Sequence, residues 1–282
     1  MCTTCGCGDT ELVPVELHEK ILAGNDRTAA HNREHFRGAG VLAINIMGSP
    51  GSGKTAVLEA TARALTGVRL GAVSADLATD NDARRLEKAG IPSKAITTGQ
   101  ACHLDAELVH RSLHDFAWKD LDVFFIENVG NLVCPAIYDL GQEANVVALS
   151  VTEGEDKPLK YPVMFQKADL VLVTKMDLVP HLDVDVAKIR DALARVMPDP
   201  KVIEVSARIG QGMQAWAAWL AARREPVLAV KGRAGGAHEH SHAHGHDHEH
   251  EHSHGGVVHA HAHHHAHDHG HEHGGGGHDH EH

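Results

Sequence analysis

From Val41 onward, two kinds of hydrophobic pattern alternate along the chain. The first consists of short, nearly unbroken apolar runs with the length of buried strands: VLAINIMG (41–48), RLGAVSAD (69–76), LDVFFIEN (121–128), ANVVALS (144–150), ADLVLVT (168–174) and KVIEVSA (201–207). The second repeats apolar residues at helical spacing: KTAVLEATARAL (54–65), DARRLEKAG (82–90), LDAELVHRSLHDFAW (104–118), DVAKIRDALARVM (185–197) and GMQAWAAWLAARRE (212–225). Upstream, residues 15–36 are helix-compatible but only weakly periodic. Doubly buried strands alternating with amphipathic helices predict an α/β fold, a mostly parallel sheet with helices on both faces. Ligands on such sheets bind beyond the carboxyl ends of the strands, and the chemically informative residues fall there.

Composition divides the chain more sharply than length does. Residues 238–282 carry 21 of the 28 histidines, eight carboxylates and no Lys or Arg. The formal charge is −12, so about −4 remains for residues 1–237, without a basic cluster of the kind nucleic-acid binders show. Alternating His-x cannot build a core, which predicts a disordered tail over 233–282 whose neutral imidazoles take up Ni²⁺, Zn²⁺ or Cu²⁺. The interleaved Asp, Glu, Gly and Ala distinguish it from an expression tag, which would be an uninterrupted His run. The expected organisation is a cysteine arm (1–8), a helical lead-in (9–36), a P-loop domain (37–232) and the tail. The start lacks a basic and an apolar signal region, and no apolar run is long enough to span a bilayer. A cytoplasmic location without membrane insertion is expected. Five cysteines, an odd number, argue against a disulfide framework there.

GSPGSGKT (48–55) fits the phosphate-binding P-loop pattern in full and lies between a predicted strand and helix. Gly48, Gly51 and Gly53 permit the tight turn, and the backbone around Ser52, Lys54, Thr55 and Ala56 can cradle phosphates. Lys54 would reach the β/γ-phosphates and the Thr55 hydroxyl would ligate Mg²⁺. Asp76, at a strand tip, suits either an Mg²⁺ ligand or a turn carboxylate. Glu127 closes an apolar strand in IENVG (126–130), where a carboxylate needs a partner and Mg²⁺ is a candidate. Gly130 could offer its N–H to a γ-phosphate. VLVTKMD (171–177) ends in T-K-x-D, close to the N-K-x-D of guanine-binding proteins. Asp177 could accept two hydrogen bonds from guanine, the Lys175 stem could cover the base, and Thr174 stands in the Asn position. Ser206 and Ala207 suit a loop whose backbone meets the guanine O6. A helix start that merely favours Thr and Asp is the competing reading.

The cysteines raise metal chemistry. MCTTCGC places Cys2, Cys5 and Cys7 on a short glycine-bearing arm, a set that fits square-planar Ni²⁺ better than a closed tetrahedral Zn²⁺ site. Cys102 and His103 precede a predicted helix, and Cys134 follows Glu127 by seven residues. Two thiolates and an imidazole suit Zn²⁺ or Ni²⁺, although a lone Cys134 would ordinarily be core.

Together MCTTCGC, GSPGSGKT, the CH pair with ENVGNLVCP, and EGEDKPLKYP (153–162) resemble the hydrogenase nickel-incorporation GTPases, the HypB family of SIMIBI-class P-loop proteins, over residues 1–225. The resemblance implies a GTPase that helps load nickel into the large subunit of nickel–iron hydrogenase. It implies a high-affinity nickel site at Cys2, Cys5 and Cys7, and a second metal site at Cys102, His103 and Cys134 near a GTP-promoted homodimer interface. It assigns Lys54, Thr55, Lys175 and Asp177 to GTP/GDP, and Asp76 and Glu127 to Mg²⁺-linked roles. The partners it implies are a HypA-type accessory protein and the hydrogenase large-subunit precursor. Two departures are Thr174 in place of Asn, and a His-rich segment at the C-terminal rather than the N-terminal end. Slow intrinsic hydrolysis is expected, with Lys157 able to reach a partner subunit's nucleotide. The alternatives are a urease-type nickel GTPase, whose Cys-Pro-His motif is missing here, and a nickel-storage protein with regulatory nucleotide binding.

Overall fold

A computed structural model describes residues 15–76, 79–99, 101–235, 252–254 and 257–259. In chain order the elements are α1 (Val15–Ala39), β1 (Leu42–Met47), α2 (Lys54–Ala64), β2 (Leu70–Asp76), α3 (Asn81–Lys88), β3 (Ser93–Thr97), α4 (Ala106–Leu113), β4 (Val123–Glu127), β5 (Ala144–Ser150), α5 (Lys157–Lys160), α6 (Pro162–Gln166), β6 (Leu170–Thr174), α7 (Val186–Val196), β7 (Val202–Glu204) and α8 (Met213–Gly235). Strands β1 to β7 form one parallel sheet in the order β3-β2-β4-β1-β5-β6-β7. A separate unit within residues 239–282 contains an antiparallel pair, β8 (His252–His254) with β9 (Val257–His259), joined by a His252–His259 pairing. The remainder of the His-rich tail, including the disorder expected of it, lies outside the described residues, as do Cys2, Cys5 and Cys7.

The central strands β1, β4, β5 and β6 are buried on both faces, as their unbroken apolar runs require. One face packs Leu58 of α2 and Trp216 of α8 against Ile44, Phe125 and Leu172. The other packs Phe36 of α1 and Trp118 against Phe124 and Ile126, and Phe165 of α6 and Leu193 of α7 against Val171. Each such side chain contributes roughly 1.5–3 kcal/mol when fully buried. Trp216 satisfies its ring N–H by donating to Thr61 Oγ1 at 2.9 Å.

The strand β3 is absent from the hydrophobic pattern of the sequence. It sits at the sheet edge, and of SKAIT only Ile96 is buried. The helix expected over 104–118 is regular only over α4, with a turn of 3₁₀ helix at Trp118–Asp120 following it. A buried amide chain crosses the sheet centre: Asn128 Nδ2 donates to Asn45 Oδ1, and Asn45 Nδ2 donates to Asn145 Oδ1. It ties the end of β4 and the middle of β1 to the start of β5.

Candidate functional site

The ends of β2 and β4, the loop after β1 and the starts of α2 and α3 line a cavity of about 420 Å³. Gly53, with φ of 94°, turns the chain so that α2 begins at Lys54 with its N–H groups facing the cavity. Gly130 approaches from the β4 side, where a Cβ would lie 2.9 Å from Pro50. A Gly48–Asn131 bridge then holds the loop after β4 directly against the P-loop.

Lys54 is only 8% exposed, and its Nζ has just two long bonds, 3.4 Å to the Gly48 carbonyl and 3.3 Å to that of Ser49. Burial pushes its ammonium below the ordinary lysine range, only partly opposed by Glu127 and other carboxylates. A phosphate group would supply the anionic partner that such a cation needs. Gly51 borders the cavity with open space beside its Cα, and Ser52 and Ala56 flank Lys54 and Thr55 in the same loop and helix start.

Thr55 Oγ1 lies 2.6 Å from Glu127 Oε1 and 3.0 Å from Asp82 Oδ1. A hydroxyl has one hydrogen to give, so it cannot donate fully to both carboxylates. Glu127 is 2% exposed, and burial raises its carboxyl above the usual range, against the bonds from Thr55 and Ser74 and the charge of Lys54. A protonated Glu127 donating to Thr55, which in turn donates to Asp82, satisfies all three groups. The oxygens of Thr55, Asp76, Asp82 and Glu127 line one cavity, a hard-donor set that fits Mg²⁺. Asp76 also accepts the Thr79 amide at 3.0 Å, so it acts as a turn carboxylate at the cavity edge as well.

The base-reading segment sits against the P-loop. Thr174 Oγ1 donates to the Ser52 carbonyl at 2.6 Å and buttresses the phosphate loop. Lys175 adopts the left-handed conformation, φ 61°, beside Gly53. Asp177 accepts from Ser206 Oγ at 2.6 Å, and the neighbouring Ala207 carbonyl accepts from Arg63. The T-K-x-D and S-A segments thus share one corner.

Cys102, His103 and Cys134 converge although 32 residues separate the two thiols, with all ligand atoms within 4.8 Å of one another. Cys102 Sγ lies 2.8 Å from Cys134 Sγ and 3.8 Å from His103 Nδ1. The His103 ring stacks on Tyr138 at 4.0 Å, and burial holds it below the ordinary imidazole range, against the pull of Asp105. It is therefore neutral near pH 7, the form that binds metal. Val133 and Ile137, flanking Cys134, are exposed apolar residues.

Three participants have no individual role assigned by the sequence. Asp82 opens α3, where it reads as an ordinary first-turn acid. Asn128 Oδ1 accepts the Leu104 amide, joining the Glu127 strand to the His103 loop. Glu153 closes a hydrogen bond to Ser49 of the P-loop and lies 3.9 Å from Lys157, whose ammonium also stands over Tyr161.

Residues 42–204 match the CobW/HypB/UreG nucleotide-binding domain. The chain is 50% identical over 211 residues to the hydrogenase maturation factor HypB of Azotobacter chroococcum, covering 74% of this chain and 69% of that protein. It is 43% identical over 220 residues to the Escherichia coli K12 factor of the same name, covering 78% and 75%. Crystal structures of HypB proteins are similar as well. HypB from Archaeoglobus fulgidus gives a TM-score of 0.67 at 40% identity, covering 72% of this chain and all of that one. HypB from Helicobacter pylori in complex with nickel gives 0.69 at 37% identity, covering 72% and 96%.

Proposed function

The chain belongs to the HypB family of hydrogenase maturation factors, with a P-loop GTPase fold, and on that premise we propose that it is a GTP-hydrolysing nickel metallochaperone. It would help insert nickel into the large subunit of nickel–iron hydrogenase, acting in the cytoplasm with a HypA-type accessory protein. The observation that carries this reading is the short path from phosphate site to thiolate site. Glu127, Gly130 and Cys134 follow one another on the segment that leaves β4, and that segment is bridged to the P-loop at Gly48–Asn131. A γ-phosphate and Mg²⁺ that reorder this segment would reposition a metal ligand.

In this reading Lys54, Thr55 and the backbone of Gly48 to Ala56 hold the triphosphate. Asp76 and Glu127 serve Mg²⁺, and Lys175, Asp177, Ser206 and Ala207 form the guanine corner, with Thr174 propping the P-loop beside it. Hydrolysis relies on positioning and charge stabilisation, so unassisted turnover is slow. Cys102, His103 and Cys134 take Ni²⁺ or Zn²⁺, Cys2, Cys5 and Cys7 hold nickel for transfer, and the tail stores it. The exposed Val133 and Ile137 beside Cys134 suit a GTP-promoted homodimer contact. No helix among the described residues is long and apolar enough to cross a membrane.

The test is hydrogenase nickel content and activity in cells carrying Lys54→Ala, Cys5→Ala or a chain cut after residue 237, with and without added nickel. Nickel insertion predicts loss with either point substitution, and a tail requirement only when nickel is scarce. A storage protein predicts that only the truncation matters.

A further inference from the structure

Two helices next to this site carry imidazoles that the reading above leaves unused. His31 and His35 stand one turn apart on α1, and His110 faces them from α4. One nitrogen from each lies within 4.8 Å of the others. Ring centroids are separated by 4.0 Å for His31–His35, 5.3 Å for His31–His110 and 5.9 Å for His35–His110. Core packing does not account for the grouping, because His31 and His35 are exposed.

Asn32 settles which His110 nitrogen is available. Its Nδ2 donates to the Ala106 and Leu140 carbonyls at 2.9 and 3.2 Å, two groups that can only accept. Its Oδ1 must therefore be the atom 2.9 Å from His110 Nδ1, and that nitrogen must carry the proton. His110 Nε2 is left with its lone pair. Metal-ligating histidines use this same arrangement, with one nitrogen pinned to a carbonyl and the other turned to the ion. His114, one turn along, brings a fourth imidazole with Nε2 at 3.4 Å from His110 Nε2.

We propose that His31, His35 and His110 form a surface metal site for a borderline divalent cation, Ni²⁺ or Zn²⁺, with water or His114 completing the shell. Such an ion clamps α1 to α4. The start of α4 already hangs on α1, since Asn25 Oδ1 accepts the Ala106 amide at 2.9 Å and Asn32 holds the Ala106 carbonyl. Ala106 is three residues past His103, so occupancy at the surface stiffens the backbone that presents the Cys102–His103 pair.

Hydrogen exchange on the full chain, resolved by peptide, reads these helices separately from the tail. Zn²⁺ and Ni²⁺ are each added in excess over the tail's capacity and compared with chelator-treated protein. At least one ion is expected to slow exchange tenfold or more in peptides covering residues 28–38 and 106–114. The double substitution His31→Gln/His35→Gln, at exposed positions, removes the slowing, whereas Cys102→Ser retains it. Slowing by neither ion, slowing that persists in the double variant, or slowing lost in Cys102→Ser would each overturn the assignment.

Discussion

Asn128 Oδ1 accepts the backbone amide of Leu104 at 3.3 Å, joining the residue after Glu127 to the residue after His103. The carboxylate of the phosphate cavity and the imidazole of the thiolate cluster are thereby one hydrogen bond apart through the backbone. Any coupling between nucleotide and metal has a short physical route here, and by linkage it must act equally in both directions.

Asn128→Ala tests that route. In the unaltered protein, nickel affinity at Cys102–His103–Cys134 should differ about fivefold or more between GDP and a non-hydrolysable GTP analogue. The variant should bring the two affinities close to parity, with a stability loss of about 1–3 kcal/mol from the broken buried bonds. Competition titration against a chromogenic chelator in each nucleotide state measures both affinities. An unchanged ratio would place the coupling elsewhere.

Glu127→Gln should separate stability from function. Burial raises the Glu127 carboxyl, so between its unfolded and folded values the folded state holds the extra proton. Stability contributed by that proton is full below the unfolded value near 4.3 and declines as pH rises through the folded one. Nucleotide-free Glu127→Gln should lack this decline and melt higher than the parent at pH 8, while losing the Mg²⁺ dependence of GTP binding. Thermal melts from pH 5 to 8 check the first half and isothermal titration the second.

Proton release gives an independent check. Because Mg²⁺ requires an ionised Glu127, binding of Mg²⁺-GTP to the parent should expel protons at any pH below the raised titration of that carboxyl. Calorimetry in buffers of different ionisation enthalpy should show this release, and Glu127→Gln should abolish it.

Asp177→Asn should change which purine is bound. In the proposed guanine corner the carboxylate would accept from two guanine donors, whereas an amide would offer an N–H suited to the C2 carbonyl of xanthine. GTP affinity should fall at least about tenfold, the loss of a charge-assisted hydrogen bond, with xanthosine triphosphate gaining. Thr174→Asn, by contrast, should leave base choice unaltered, because Thr174 supports the Ser52 carbonyl rather than the base.

Acid should strip metal in two stages. The tail imidazoles lose their ions as pH drops below about 6.5. His103 is buried and held below that range, so the Cys102–His103–Cys134 site should retain its ion to lower pH. Metal released during an acid titration of the full chain and of Cys102→Ser should differ only in the second stage.

Much of this was legible in the sequence because it rests on local pattern. The six apolar strands, the P-loop between strand and helix, and Glu127 closing β4 all follow from short-range chemistry. Thr174 was legible as part of a base-reading motif, but not as a prop for the P-loop, since that depends on β6 ending beside Ser52. Asp82 and Asn128 were illegible for the same reason: each looks like a common helix-start or strand-end residue until the fold sets it against Thr55 or Leu104. The edge strand β3 lacked a hydrophobic signature because only one of its residues is buried. His31, His35 and His110 were hidden by the chain distance between α1 and α4.

The two outermost strands have a bearing on how crowded copies behave. β3 has five residues and β7 three, and they carry Lys94 and the Arg190-paired Glu204 respectively. Short, charged borders are poor templates for strand addition. Copies drawn together by ions shared between tail imidazoles, as the proposed storage role would have it, would meet at these blunt margins and could part again without zipping into fibrils.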